Sequence, residues 1–304
     1  MKNWILLFLL PLMTTAQPVF TEQQVEISQW IKGDLYIPEK SNGHLVIVIA
    51  GSGPTNRDGN QPGARSNAYK FLAEAIVANG NPVFTFDKRI VTQIIAGKAN
   101  EKELLFDHQI DDVRDIIRHF RKDSNIRKII ICGHSEGSLI GMVAAQMADG
   151  YISLAGAGRT IDLVITDQLV AQAPVLKAST QASFAKLKKG ETFDVDNPML
   201  ASIFRKDIQP YLISWIKYDP AIEIAKLKIP VLIINGTSDI QVTESEAKLL
   251  HQAKPDAKLV LIEKMNHVLK EVSSREENLA SYNDPKLPLS PRLVEAVNQF
   301  LNEF

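Results

Sequence analysis

The chain has 304 residues, 45% of them hydrophobic and 23% charged, an ordinary globular composition with enough length for a large core in one or two domains. Its 34 basic and 35 acidic residues give a formal net charge of −1 at pH 7. Such a balanced charge argues against nucleic acid or an anionic membrane surface as a partner.

Residues 1–16 have the pattern of a secretory signal peptide. Lys2 supplies a positive charge, residues 4–13 are apolar, and small residues precede an expected cut near Gln17. The apolar run is too short to span a bilayer, so no stable membrane insertion is expected after cleavage. A buried N-terminal helix is the alternative interpretation. The pattern predicts an exported protein, periplasmic or secreted if the source is a bacterium.

Residues 17–158 are predicted to form the first part of an α/β core. Two alternating segments, 25–31 and 33–38, predict antiparallel edge strands joined by a turn at Lys32 and Gly33. Apolar runs typical of strands buried on both faces follow at 44–50, 82–87, 127–132 and 151–156. Segments with helical periodicity lie among them, at 67–80, 106–120 and 138–148. This alternation predicts a mostly parallel central sheet with helices on both faces and reactive groups at the carboxyl ends of its strands.

The segment 133–137, Gly-His-Ser-Glu-Gly, joins an apolar strand to a helix and matches the nucleophile elbow G-x-S-x-G. A sharp turn would hold the Ser135 hydroxyl clear of the backbone, and Gly133 and Gly137 would let strand and helix approach closely. An ordinary glycine-rich turn is the alternative. The single cysteine, Cys132, ends the preceding strand and is expected to be buried, and one cysteine allows no intramolecular disulfide.

Residues 159–218 are predicted to form a helical cap over the sheet, which we call the cap region. Short amphipathic segments occur at 161–171, 179–189, 198–205 and 211–216, with no clear strand between them. Ordinary crossover helices are the alternative, although the stretch is long for a single crossover. Residues 219–304 are predicted to complete the core. Strands are expected there at 230–236 and 258–262, and helices at 243–252 and 291–304.

Two further polar residues follow buried strands, as Ser135 does. Asp239 comes after the strand at 230–236 and His267 after the strand at 258–262. A serine hydroxyl needs a base to take its proton, histidine suits that task near neutral pH, and an aspartate can fix the histidine tautomer. These residues therefore predict a Ser-His-Asp triad. Taken singly, the aspartate could be a turn residue and the histidine a solvated loop residue.

The remaining candidates for chemistry are weaker. His134 lies beside Ser135 and is expected to be a packed neighbour, and Asp219 is expected to be a turn residue where the cap region ends. No pair or trio of His, Cys and Asp residues has metal-ligand spacing, so no metal is predicted.

An acyl-transfer site also needs backbone N–H groups directed at the developing oxyanion. One is expected from Glu136, the residue after the nucleophile. The other is expected from Ser52, because the loop 50–53 follows an early buried strand and its glycines allow close approach of the backbone. This loop lacks the nucleotide-binding patterns, which argues against a phosphate site. The Glu136 side chain is expected either to support a neighbouring group or to be a solvated charge.

The combined motifs resemble a family. The segments 50–60, 86–89 (Phe-Asp-Lys-Arg) and 133–137 are similar to those of bacterial capped carboxylesterases of the α/β-hydrolase superfamily, often labelled serine-aminopeptidase-like hydrolases. The resemblance implies an α/β-hydrolase fold, a small-molecule ester substrate with a short acyl chain, and no cofactor. Ile90 departs from the family's usual glycine, which puts the shape of the loop beside the site in doubt.

Two rival functions stay open at this point. The same triad could serve a peptidase or amidase, whose cap would be expected to converge charged residues that bind a substrate terminus. An exported binding protein on an inactive hydrolase fold is a third interpretation, against which the intact Ser-Asp-His order argues. The sequence does not indicate the natural substrate or the oligomeric state.

Overall fold

The computed structural model describes residues 20–304, and the predicted signal peptide of residues 1–16 lies outside them. Strands and helices alternate along most of this range. The strands are β1 Phe20–Glu26, β2 Lys32–Pro38, β3 His44–Ile49, β4 Asn60–Gln61, β5 Ala64–Arg65, β6 Val83–Phe86, β7 Lys128–His134, β8 Gly150–Leu154, β9 Val231–Gly236 and β10 Lys258–Ile262. The α-helices are α1 Ala68–Ala78, α2 Arg89–Ile95, α3 Phe106–Phe120, α4 Glu136–Ala144, α5 Ile161–Gln172, α6 Lys177–Lys188, α7 Ala201–Phe204, α8 Gln209–Ile216, α9 Pro220–Ala225, α10 Glu244–Ala253, α11 Arg275–Ser281 and α12 Pro291–Leu301.

The central sheet of residues 20–304 has eight strands in the order β1-β2-β6-β3-β7-β8-β9-β10. The pairs β1–β2 and β2–β6 are antiparallel, and every pair from β6 to β10 is parallel. The mostly parallel sheet predicted from the buried apolar runs is therefore confirmed. Parallel strands bring their carboxyl ends to one edge, so the loops after β3, β7, β9 and β10 lie at the same end of the sheet.

Helices cover both faces of the sheet, and β7 shows why. Its side chains alternate between two apolar clusters because successive residues of a strand point to opposite faces. Ile129 and Ile131 belong to the cluster that includes α3, α4 and α10. Ile130 and Cys132 belong to the cluster that includes α1 and α12. The Cys132 thiol is fully buried, as expected from its position, and burial raises its pKa to about 12.

The expected position of the first turn is wrong. The first strand ends at Glu26, and residues 27–31 form the turn that was placed at Lys32 and Gly33. The Ser28 hydroxyl accepts a hydrogen bond from the backbone N–H of Ile31, at 3.2 Å, while the Ile31 side chain is buried in the core. The turn therefore carries one buried apolar residue, and this continues the alternating pattern beyond the end of the strand.

Residues 155–230, between β8 and β9, contain helices and irregular segments without a strand. This range includes the cap region, whose helices α5 to α8 bury apolar side chains against one another and against α3. The Phe184 and Phe204 ring centroids are 4.8 Å apart, and Trp215 stacks on Phe106 with a centroid distance of 5.2 Å. Within residues 20–304, no helix is both long and apolar enough to cross a bilayer.

Candidate active site

Ser135 sits at a strained turn between β7 and α4. Its φ of 55° and ψ of −120° are unusual for a residue with a side chain. The turn needs glycine on both sides: a Cβ at Gly137 would lie 2.4 Å from the carbonyl oxygen of Ile49, and one at Gly133 would lie 2.2 Å from the carbonyl oxygen of Gly137. The sequence therefore dictates a tight crossing that holds the Ser135 hydroxyl at the carboxyl end of the sheet.

The structure brings Ser135, His267 and Asp239 into hydrogen-bond contact. His267 Nε2 lies 3.1 Å from Ser135 Oγ, and His267 Nδ1 lies 2.8 Å from Asp239 Oδ2. The other carboxylate oxygen of Asp239 accepts from the backbone N–H groups of Gln241 and Val242, at 2.8 and 2.9 Å. An aspartate held in this way directs the histidine proton to Nδ1, which leaves Nε2 free to accept the serine proton.

His134 is a buried neighbour, as expected, and it also connects two loops. Its Nδ1 lies 2.8 Å from the Tyr69 hydroxyl, and its Nε2 lies 2.8 Å from the backbone carbonyl oxygen of His267. Burial, together with the nearby His267 side chain, lowers the pKa of His134 to about 3. The imidazole of His134 is therefore neutral at pH 7.

Ser52 and Glu136, the residues expected to supply oxyanion N–H groups, both border the cavity at Ser135. A Cβ at Gly51 would lie 3.1 Å from Ser135 Cβ, so the loop after β3 passes directly against the nucleophile. Glu136 begins α4, where backbone N–H groups have no acceptor within the helix. Both residues thus border the cavity at Ser135, and Glu136 does so at the N-terminal, electropositive end of α4.

The Glu136 side chain is not a solvated charge. It is 2% exposed, and its Oε1 accepts from Lys88 Nζ at 2.7 Å and from the Tyr211 hydroxyl at 2.8 Å. Lys88 and Tyr211 lie far from Glu136 in sequence, and Tyr211 belongs to α8 of the cap region. Neither residue was predicted to be part of the site, although Lys88 lies in the Asp-Lys-Arg run that carried the resemblance.

Asp87 and Arg89, which flank Lys88 in the Asp-Lys-Arg run, fix other parts of the structure. Asp87 Oδ2 pairs with Arg57 Nη2 at 2.6 Å, which anchors the loop after β3. Arg89 Nε donates to Asp112 Oδ2 at 2.9 Å, and burial raises the pKa of Asp112 to about 6 although the Arg89 guanidinium opposes the shift. Ile90, where the resembling family has glycine, lies in the first turn of α2. A short helix therefore begins at the last residue of the run.

A cavity of about 540 Å³ opens beside Ser135. One side is formed by polar residues of the loops after β3, β7, β9 and β10, which we call the core loops, and the opposite side is mostly apolar, with Gln168, Gln172 and Ser202 as its uncharged polar members. The apolar lining from the cap region and its approach consists of Ala157, Ile161, Val164, Ile165, Leu169, Met199, Ile203 and Trp215. The charged lining residues that the structure describes, Glu136 and Arg159, are both paired, Arg159 with Asp167 at 2.9 Å and with Glu246. The cavity therefore offers a substrate polar groups near Ser135 and an apolar surface beyond them.

The remaining candidates have structural positions. The Asp219 carboxylate accepts from the backbone N–H of Ala221 at 2.9 Å and caps α9, a helix that was not predicted. In residues 20–304, no group of three or more His, Cys, Asp or Glu side chains is arranged to hold a metal ion.

Comparison with known proteins gives one family match and several structural matches. The family model described as BD-FAE matches residues 33–253. Esterase EstD of Thermotoga maritima is 24% identical over 268 residues, a match that covers 82% of this chain and 60% of EstD. This chain therefore spans less than two thirds of the length of that relative.

Two solved esterases illustrate the structural similarity. Est1E from Butyrivibrio proteoclasticus has 17% identity and a TM-score of 0.57, with 93% of this chain and 98% of Est1E covered. The Pyrococcus furiosus esterase Pf2001 has 14% identity and a TM-score of 0.58, with 94% and 91% covered. These similarities confirm the α/β-hydrolase fold predicted from the sequence.

Proposed function

Because the chain belongs to the BD-FAE family and has the α/β-hydrolase fold, we propose that it is a serine esterase that hydrolyses neutral carboxylic esters of small molecules. The observation that carries the proposal is the continuous hydrogen-bonded line from Asp239 through His267 to Ser135 Oγ, at 2.8 and 3.1 Å. This is the contact pattern that lets a neutral histidine activate a serine hydroxyl.

In the proposed reaction, Ser135 Oγ attacks the ester carbonyl carbon while His267 Nε2 takes the hydroxyl proton. Asp239 stabilises the imidazolium that forms, and the N–H groups of Ser52 and Glu136 stabilise the tetrahedral oxyanion. Collapse of the intermediate expels the alcohol, which receives its proton from His267, and leaves an acyl group on Ser135. A water molecule activated by His267 then releases the carboxylic acid and regenerates the serine.

The cavity favours esters over peptides. A peptidase that recognises a substrate terminus needs a charged group free to bind it, whereas Arg159 and Glu136 are already paired with protein side chains. The names of EstD, Est1E and Pf2001 as esterases also support ester hydrolysis. We further propose a short acyl chain, as the resemblance implies, with the apolar wall of the cap region contacting the rest of the substrate. Export remains a proposal that rests on residues 1–16.

The test uses the mature protein, aryl esters of increasing acyl length, and a panel of aminoacyl amides. Ser135→Ala should lower kcat for esters by about 10⁵- to 10⁶-fold and abolish labelling by a fluorophosphonate. Ser245→Ala, which changes an exposed serine on α10, is the matched control and should keep full activity. Comparable cleavage of amides would favour the peptidase. If Ser135→Ala retained both ester hydrolysis and fluorophosphonate labelling, the proposal would be overturned.

A further inference from the structure

We propose that Lys88 and Tyr69 are positioning residues of the oxyanion hole, which hold the Gly51 backbone from two sides and thereby direct the Ser52 N–H at the developing oxyanion. The inference deepens the proposed esterase function and rests on it. It concerns the loop after β3, whose glycines would otherwise leave the backbone free to turn.

Both polar groups of Gly51 are held by buried side chains. The Gly51 N–H donates to the Tyr69 hydroxyl, and Lys88 Nζ donates to the Gly51 carbonyl oxygen, each at 2.9 Å. Lys88 and Tyr69 are each 4% exposed, so water does not compete effectively for these bonds. The Gly51 carbonyl and the Ser52 N–H belong to one planar trans peptide and point in opposite directions. Fixing the carbonyl on Lys88 therefore fixes the direction of the Ser52 N–H.

The Lys88 ammonium also reaches the second half of the hole. Its Nζ lies 2.7 Å from Glu136 Oε1, and Glu136 supplies the other proposed N–H donor. The two donors follow the adjacent parallel strands β3 and β7, whose pairing brings them near each other. The buried Lys88 ammonium adds a direct link between them, because it bonds both the Gly51 carbonyl and the Glu136 side chain. Oxyanion stabilisation depends on donors that are fixed before the reaction, so this link bears directly on rate.

Tyr69 extends the same arrangement to the loop after β10, which carries His267, and the directions of its hydrogen bonds are forced. The His267 backbone carbonyl can only accept, so the proton of neutral His134 lies on Nε2. His134 Nδ1 must then accept from the Tyr69 hydroxyl, whose oxygen in turn accepts from the Gly51 N–H. One directed chain of hydrogen bonds thus runs from Gly51, in the loop after β3, to the backbone of His267, the proposed catalytic base.

The opposing interpretation is that Lys88 merely neutralises a buried Glu136. A neutralising role predicts that loss of Lys88 lowers the yield of folded protein and leaves the chemistry of each folded molecule unchanged. A positioning role predicts lower kcat for each folded molecule with little change in KM, because the oxyanion exists only in the transition state and the intermediates. It also predicts weaker binding of a trifluoromethyl ketone, since its serine adduct carries an oxyanion in the hole.

The experiment compares Lys88→Met, Lys88→Met with Glu136→Gln, and Tyr69→Phe. The double variant leaves no unpaired buried carboxylate, so it addresses folding separately from positioning. Active sites are counted by exhaustive fluorophosphonate labelling. We expect kcat per labelled site to fall about 100-fold in the Lys88 variants and about tenfold in Tyr69→Phe, with KM within about threefold and trifluoromethyl ketone affinity falling in parallel with kcat.

Two buried residues away from the hole provide matched controls. Lys254→Met removes a lysine that is 8% exposed and pairs with Asp256, and Tyr36→Phe removes the hydroxyl of a tyrosine on β2 that is 2% exposed. Both should keep kcat. The inference would be overturned if the folded double variant and Tyr69→Phe both had the kcat per labelled site and the trifluoromethyl ketone affinity of the wild type. If neither Lys88 variant folds, Tyr69→Phe decides alone. An inactive wild-type protein would instead refute the proposed function itself.

Discussion

Around Ser135, buried polar side chains hold the backbone through directed hydrogen bonds, whereas the cap region is held mainly by apolar contacts. Gly51, Glu136 and His267 are each bonded to a side chain from a distant part of the sequence. In the cap region, Phe184, Phe204 and Trp215 pack ring against ring. Hydrogen bonds lose strength steeply with angle, while apolar contacts depend mostly on buried area.

The difference separates two tasks of the proposed enzyme. Transition-state stabilisation needs donors at fixed angles, and the proposal assigns these to the core loops. Substrate fit needs contact area of adaptable shape, and the proposal assigns this to the cap region. Directed bonds also join the two regions, among them the bond from the Tyr211 hydroxyl to Glu136, at 2.8 Å, and the bond from the Phe106 N–H to Ser214 Oγ, at 2.7 Å. Substitutions in the core loops should therefore lower kcat, and substitutions in the apolar wall should raise KM.

The largest effect is expected at Asp239. Asp239→Asn retains the size of the side chain but offers His267 Nδ1 an amide that can favour the wrong tautomer. We expect kcat to fall by about 10⁴-fold with little change in KM, the loss that this substitution causes in Ser-His-Asp enzymes. Steady-state kinetics on an aryl ester measure both constants. Asp111→Asn, on the exposed side of α3, is the control, and a loss below tenfold in Asp239→Asn would contradict the proposed role.

A smaller effect, on stability, is expected from the pKa of His134. Folding lowers this pKa from its ordinary value of 6.5 to about 3. At a pH between these two values the His134 side chain is protonated in the unfolded chain but not in the folded protein. Lowering the pH therefore favours the unfolded state. The free energy of unfolding should fall by up to about 1.4 kcal/mol for each pH unit below 6.5.

Urea titrations between pH 5 and pH 7.5 measure this slope. In His134→Gln the free energy of unfolding should depend less steeply on pH, by up to that amount. In His119→Gln, which changes an exposed histidine, the pH dependence should be the same as in the wild type. Equal slopes in the wild type and His134→Gln would show that His134 is not neutral in the folded protein. The cap region contains no histidine, so it contributes no such slope.

The smallest effect is expected in the apolar wall. Leu169 on α5 is 8% exposed and lines the cavity, and Leu169→Ala removes apolar area that a bulky ester would contact. We expect KM for such an ester to rise about tenfold, equivalent to about 1.4 kcal/mol, with kcat within about twofold. Leu163→Ala, on the same helix but 46% exposed, should change neither constant. A fall in kcat without a rise in KM for Leu169→Ala would contradict the proposal that the cap region contributes to substrate fit and the core loops to transition-state stabilisation.

Much of this arrangement was accessible from the sequence because it depends on local patterns. Apolar runs predict the parallel strands, and the motif at 133–137 predicts the turn that carries Ser135. Asp239 and His267 follow from their positions after buried strands, and the structure brings all three side chains together; their catalytic roles stay predictions. The α9 helix was missed although Asp219 and Pro220 have the pattern of a helix start, because the helix has only 6 residues and shows too little periodicity to be recognised.

The Lys88 contacts were not accessible from one sequence. Lys88 and Glu136 are 48 residues apart, and Glu136 and Tyr211 are 75 residues apart. Whether such residues meet depends on crossover geometry and on side-chain direction, neither of which has a local signature. The Asp-Lys-Arg run was noticed as a motif, but its partners Arg57, Glu136 and Asp112 became identifiable only when the sheet and its covering helices were in place.

The burial of Cys132 between the sheet and its helices makes the protein convenient to label. The chain has no other cysteine, and a thiol with a pKa of about 12 and no exposed surface does not react with maleimides or disulfide reagents while the fold is intact. A cysteine introduced at an exposed position of the cap region would accept a fluorophore or spin label specifically, without prior removal of the native thiol. Reaction at Cys132 itself would report the opening of the core.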